Sequence, residues 1–96
     1  MICWVLYDIK NDKTRSRIAK ACLQTGLNRV QYSCFVGNLD ENELDELQVR
    51  IEDLYNKAED SVYIFPMSRK DFNQTVLLGQ AFDKKYVSGD LKNILL

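Results

Sequence analysis

Apolar runs and amphipathic stretches alternate along the chain. Residues 2–9, ICWVLYDI, are almost wholly apolar, short, and rich in β-branched and aromatic side chains, which predicts a central strand. From Arg15 to Leu23 the spacing becomes helical, with Ile18, Ala19, Cys22 and Leu23 on one face. Asn11 or Asp12 can accept the free N–H groups at the start of that helix, and Gly26 suits a left-handed end. In residues 29–39, Val30, Tyr32, Cys34 and Val36 alternate with Arg29, Gln31, Ser33 and Phe35. This is either one long bent strand or two short strands meeting near Ser33. The choice matters, because a one-residue slip exchanges the core and solvent faces.

Asp40 with Glu43 forms a capping-box pattern, and Leu44, Leu47, Ile51 and Leu54 mark the buried stripe of a second helix with an acidic back. SVYIFP, residues 61–66, predicts a strand ended by Pro66. Residues 68–73 predict a turn or helical turn, and residues 74–78, QTVLL, a further short strand. Tyr86–Val87 and Leu91 to Leu96 are apolar patches that suit a sheet edge in the same subunit or in a partner. The order β-α-β-(β)-α-β fits an α+β, ferredoxin-like sheet with both helices on one face. Its other face needs cover, and for a small chain a second subunit is the simplest cover.

The 96 residues suit one domain. A hydrophobic content of 46% and a charged content of 28% place it among globular chains rather than disordered ones. No segment reaches the roughly 20 apolar residues of a membrane span, and the N-terminus reads as a strand rather than a signal peptide. The odd cysteine count, Cys3, Cys22 and Cys34, without CxxC spacing, predicts free buried thiols in a reducing, cytoplasmic compartment. With no histidine, acid–base chemistry falls to carboxylates, Tyr, Lys, Arg, water or a metal. Net charge is -1, but residues 1–35 hold six basic and two acidic side chains, whereas residues 36–60 hold two basic and nine acidic. The first segment attracts polyanions and the second repels them.

Asp8, at the end of the first strand, is the leading candidate for chemistry. A single aspartate is a poor Mg²⁺ site, but two copies across a dimer axis make a better one, with a cation or a proton between them. The competing reading is a strand-end cap for the following turn. Tyr7 should face the opposite side of the strand. Lys10, Lys13, Arg15, Arg17 and Lys20 form a basic strip, extended by Arg29. Arg15 and Arg17 do not share a helix face, yet both can reach phosphates near the helix start. Ser33 has no histidine to activate it as a nucleophile. Tyr32 and Phe35 are expected in the core, with base stacking as the alternative.

YDIKNDKTRSRIAK followed by GLNRVQYSCFVG resembles the small Cas-two proteins of CRISPR systems. Tyr7–Asp8, Asp12, Arg15, Arg17, Gly26, Arg29-Val30-Gln31, Ser33, Phe35 and Gly37 fall in the family's order, and the likeness extends over essentially the whole chain. The glutamate common between that phenylalanine and glycine is Val36 here. The resemblance implies a ferredoxin-like homodimer over residues 1–96, with residues 80–96 packing on the partner subunit. It implies a CRISPR adaptation protein that binds protospacer DNA and the CRISPR integrase during spacer acquisition. It further implies a Mg²⁺-dependent (or Mn²⁺-dependent) endonuclease centre, the metal held by Asp8 of both subunits, acting on single-stranded RNA or on DNA. The resemblance implies that Tyr7 joins Asp8 as catalytic, that Arg15, Arg17 and Arg29 bind nucleic acid, and that Phe35 supports the site; Lys13, from the basic strip, is a further nucleic-acid candidate, and Ser33 a further supporting one. The alternatives are a stand-alone, toxin-like endoribonuclease, and a non-catalytic interaction or ligand-sensing domain; the latter is poorly matched by a chain without GxGxxG or P-loop spacing.

Overall fold

A computed structural model of the protein describes residues 1–84. Its elements are β1 (Ile2–Asp8), α1 (Asp12–Thr25), β2 (Asn28–Gln31), β3 (Cys34–Asn38), α2 (Glu41–Leu54), β4 (Ser61–Met67) and α3 (Arg69–Gln74). The strands form one sheet in the order β2-β3-β1-β4, with antiparallel neighbours throughout. This is the ferredoxin-like arrangement.

Local chemistry sets the boundaries. Asn11 caps α1 by accepting the Thr14 N–H at 3.0 Å, and Gly26 ends the helix at φ 107°. Asp40 and Glu43 form the reciprocal capping box that starts α2. Residues 29–39 are two strands. The chain turns at Tyr32–Ser33, and a bulge between Arg29 and Gln31 shifts the β2–β3 register. Gly37 sits where α1 runs into β2. A Cβ there would lie 3.0 Å from Leu27 Cδ2 and 3.2 Å from the Gly26 carbonyl oxygen, so this position needs glycine for close approach.

The two faces of the sheet are unequal. Cys3, Val5, Tyr7 and Phe35 face α1 and α2, where Ile18, Cys22, Leu47 and Ile51 complete a closed core. On the other face Ile2, Val36 and Phe72 form a smaller cluster with Trp4, Met67 and Phe82 packed against it. The Trp4 ring tilts against Phe72 and Phe82 at 6.0 and 5.6 Å. This cluster covers one end only.

Several expectations are corrected. Leu23 is exposed while Ala21 is in the core: the buried stripe of α1 is Ile18, Ala19, Ala21 and Cys22, and Leu23 lies beside it, in the groove toward Arg29 and Tyr32. Residues 75–78 form no strand; α3 takes residues 69–74, capped by Ser68, and residues 75–84 lie outside any ladder. Pro66 does not end β4, which continues to Met67. β4 is at the sheet edge, where a missing N–H is tolerated. Cys3 and Cys22 are buried, and burial raises their thiols to about 11 and about 12. Cys34 is only half-buried. The Tyr86–Val87 and Leu91–Leu96 patches, and so most of the expected 80–96 packing segment, lie outside the described residues.

Candidate metal and nucleic-acid site

Alternation along β1 decides what each end residue can do. Tyr7 points into the helix-covered core, and Asp8 emerges on the opposite face with Leu6 and Trp4. In register, Asp8 lies opposite Ser61, Leu6 opposite Tyr63 and Trp4 opposite Phe65. Tyr63 and Phe65 stack in parallel at 6.3 Å, yet remain 57% and 47% exposed. The Asp8 side chain is 73% exposed, and Lys10 Nζ lies 3.5 Å from its Oδ2.

This geometry tests the metal reading. The Asp8 carboxylate is accessible and has coordination capacity to spare. Among the described residues, however, no group of three Asp, Glu, Cys or His side chains could hold an ion. Mg²⁺ commonly uses one or two carboxylates together with water and phosphate oxygens. Asp8 fits such a site as one contributor, and not as an all-protein cage.

The loop behind Asp8 is held by two side chains. Asp60 accepts the backbone N–H of Lys10 and that of Asn56, both at 2.9 Å. These two bonds hold its carboxyl below the ordinary value of 3.8. Arg15 donates from Nη2 and Nε to the Ile9 carbonyl at 3.0 and 3.3 Å, and from Nη1 to Asp12 at 2.7 Å. Arg15 therefore spends much of its donor capacity on the β1–α1 connection. Asp60 was missed by sequence reasoning; the available signal was an acceptor immediately before a strand that must pair with β1.

Tyr7, Phe35 and Arg29 form a column on the helix side. Tyr7 stacks on Phe35 at 6.1 Å, and the Arg29 guanidinium lies 5.1 Å from the Phe35 centroid and 5.5 Å from that of Tyr32. The Tyr7 hydroxyl is buried with no partner in hydrogen-bonding geometry. Burial raises its pKa above 10.0, and the nearby Arg29 offsets part of that rise. Tyr7 and Asp8 thus do not converge within one chain. Phe35 is fully buried, a packing residue. Ser33 contributes its carbonyl, which accepts the Tyr7 N–H at 3.1 Å and ties the β2–β3 turn to β1.

Most of the basic residues fall along two grooves that share Lys20. Arg15 and Arg29 line a groove between α1 and β2 with Lys20 and Tyr32. Arg17 lines a different groove, between α1 and α2, with Arg50 and Gln24, which are themselves bonded at 2.8 Å. Lys13 is exposed in the first turn of α1. Tyr32 is 69% exposed, against the expectation that it would be core, because the turn at 32–33 lifts it out of the ladder. Val36 is fully buried beside Ile2 and Phe72, an apolar setting in which an unpaired carboxylate would be costly. No helix of the described residues is long and apolar enough to cross a membrane.

Comparison with known proteins agrees with this architecture. The chain is 39% identical over 83 residues to a protein of Chloroflexus aurantiacus named CRISPR-associated endoribonuclease Cas2 2, covering 86% of this chain and 98% of that one. A hypothetical protein from Thermus thermophilus superposes with a TM-score of 0.72 at 32% identity, covering 83% of this chain and 92% of the other. Streptococcus pyogenes Cas2, crystallised at pH 6.5, superposes with a TM-score of 0.70 at 24% identity, over 82% of this chain and all of that one, and so shares the fold. The family model for CRISPR associated protein Cas2 matches residues 1–75. With the ferredoxin-like sheet and the strand-end Tyr7–Asp8 pair in place, this chain belongs to the CRISPR-associated Cas2 family.

Proposed function

We propose that this protein is a homodimeric subunit of the CRISPR adaptation machinery that holds protospacer DNA and the CRISPR integrase during spacer acquisition. In this reading the dimer also forms a Mg²⁺-dependent endonuclease centre, for which Mn²⁺ can substitute. The observation that carries it is the position of Asp8. An accessible carboxylate ends β1 on the sheet face that the described residues cover only in part, beside exposed Leu6, Tyr63 and Phe65. A second copy covers that apolar surface and supplies the second Asp8. Residues 80–96 of the partner then add to the cover, along the edge of β4.

Asp8 of each subunit would hold a divalent cation there, whose chemistry would be to activate a water and neutralise charge on the phosphate. Lys10, which lies beside Asp8 in the single chain, remains available for a phosphate oxygen. Asp60 and Arg15 keep the β1–α1 connection in place, and thereby the end of β1. Lys13, Arg17 and Arg29 contribute backbone contacts that do not depend on base sequence. Tyr7 acts by packing the underside of the strand that carries Asp8. The free buried thiols suit a reducing, cytoplasmic setting.

Relatives named endoribonucleases favour a second reading, cleavage of single-stranded RNA as an activity in its own right. One experiment separates the two. Wild type and Asp8→Ala are assayed on RNA and duplex DNA with Mg²⁺, Mn²⁺ or EDTA, and for spacer acquisition with the integrase. Metal-dependent cleavage lost in the variant establishes the nuclease. Acquisition retained in the same variant establishes the scaffold as the role independent of Asp8. Cleavage that persists unchanged without metal or without Asp8 overturns the centre.

A further inference from the structure

The groove between α1 and β2 is separate from the Asp8 face. Arg15, Ser16, Lys20, Leu23, Arg29 and Tyr32 line most of it, and its volume is about 550 Å³. Its carboxylate, Asp12, is already neutralised by Arg15 at 2.7 Å, which leaves Lys20 and Arg29 in excess. The groove is also unusually apolar for so basic a surface. Leu23 is 52% exposed on α1, and the Tyr32 ring projects from the β2–β3 turn under the Arg29 guanidinium. Arg29 also lies 5.1 Å from the ring centroid of Phe35, which is fully buried. The cation next to the exposed ring thus packs on a buried one as well.

We propose that this groove is a subsite for one unpaired nucleotide of a single strand, its base stacked on Tyr32 and its phosphate held by Lys20 and Arg29. The proposal rests on the nucleic-acid reading above and specifies a place and a strand state for it. A simple polyanion would need the cations but not the ring and leucine. A base in a duplex already stacks on its neighbours and cannot lie on Tyr32 without being unpaired. An unpaired base has a free π-face, and stacking on an aromatic side chain next to phosphate-binding cations is the usual recognition chemistry for single strands. Tyr32 lies on the helix side of the sheet and Asp8 on the other, so the subsite holds a strand without presenting it to the Asp8 carboxylate of the same chain.

The test uses the full chain and a short oligothymidylate carrying one 2-aminopurine, beside a duplex of equal length. Binding is read by anisotropy and stacking by quenching of the 2-aminopurine. Tyr32→Ala is expected to weaken single-strand binding about tenfold and abolish the quench, while Tyr32→Trp retains both. Lys20→Ala is expected to lower the salt dependence of single-strand binding by about one ion. Duplex binding should change less than about twofold in Tyr32→Ala. If wild type binds duplex but neither quenches nor prefers the oligonucleotide, the subsite is overturned and the nucleic-acid reading stands. Equal loss of both ligands in Tyr32→Ala, or equal displacement of the oligonucleotide by polyglutamate, makes the groove a mere polyanion surface and also overturns it. Binding of neither nucleic acid at low salt overturns both.

Discussion

The helix-covered face of the sheet and its opposite face are built from the same strands, residue by residue in alternation, yet they end in different states. On the first, Cys3, Val5, Tyr7 and Phe35 meet two amphipathic helices and disappear from solvent. On the second, Ile2 and Val36 are covered by Phe72, but Leu6, Tyr63 and Phe65 are left exposed a few residues away. Among the described residues, α1 and α2 close one face. On the other, those residues leave an apolar surface with a carboxylate at its margin. The closed face accounts for the fold, and the unfinished face accounts for the proposed assembly.

The largest expected effect falls on the closed face. Phe35→Ala should cost about 3–5 kcal/mol, measured by urea denaturation, since it removes a ring buried between Tyr7 and Arg29. A smaller loss would mean that the column collapses onto itself. Next comes Gly37→Ala, expected to cost about 1–3 kcal/mol because its Cβ meets Leu27 at 3.0 Å and the backbone behind it.

Phe65→Lys sharpens the contrast from the other side. It should leave the folding of a single chain within about 0.5 kcal/mol, as exposed substitutions usually do. In sedimentation equilibrium it should shift the protein from dimer to monomer and remove any dependence of Tm on protein concentration. A dimer that persists at wild-type affinity would show that this face is not the interface.

The smallest effect concerns pH. Asp60 has its carboxyl held down by two backbone N–H groups, so its contribution is present above the ordinary value of 3.8 and is lost as pH falls below it. Asp60→Asn should flatten the acid limb of the stability curve there, while wild type loses stability. At the alkaline end the sign reverses. Cys3 and Cys22 are raised from 9.0, so stability present below pH 9 declines as pH rises toward about 11 and about 12. Cys22→Ala should remove part of that alkaline loss.

Short-range chemistry was legible in the sequence. Asn11, Gly26 and the Asp40–Glu43 box sit where local capping rules place them, because each satisfies backbone groups a few residues away. The period of two in ICWVLYDI correctly set Tyr7 and Asp8 on opposite faces, since a strand's pleat is a local property. The ferredoxin-like order followed from counting elements. Tertiary packing decided what locality could not. It chose Ala21 over Leu23 for the core, because that depends on how α1 is rotated over the sheet. It turned the chain at Ser33 and lifted Tyr32 into solvent. It diverted Arg15 to the Ile9 carbonyl and brought Asp60 to Lys10 across fifty residues of sequence. Such contacts depend on which distant groups the fold brings within a few ångströms, and hydropathy and spacing along a single chain carry no record of that.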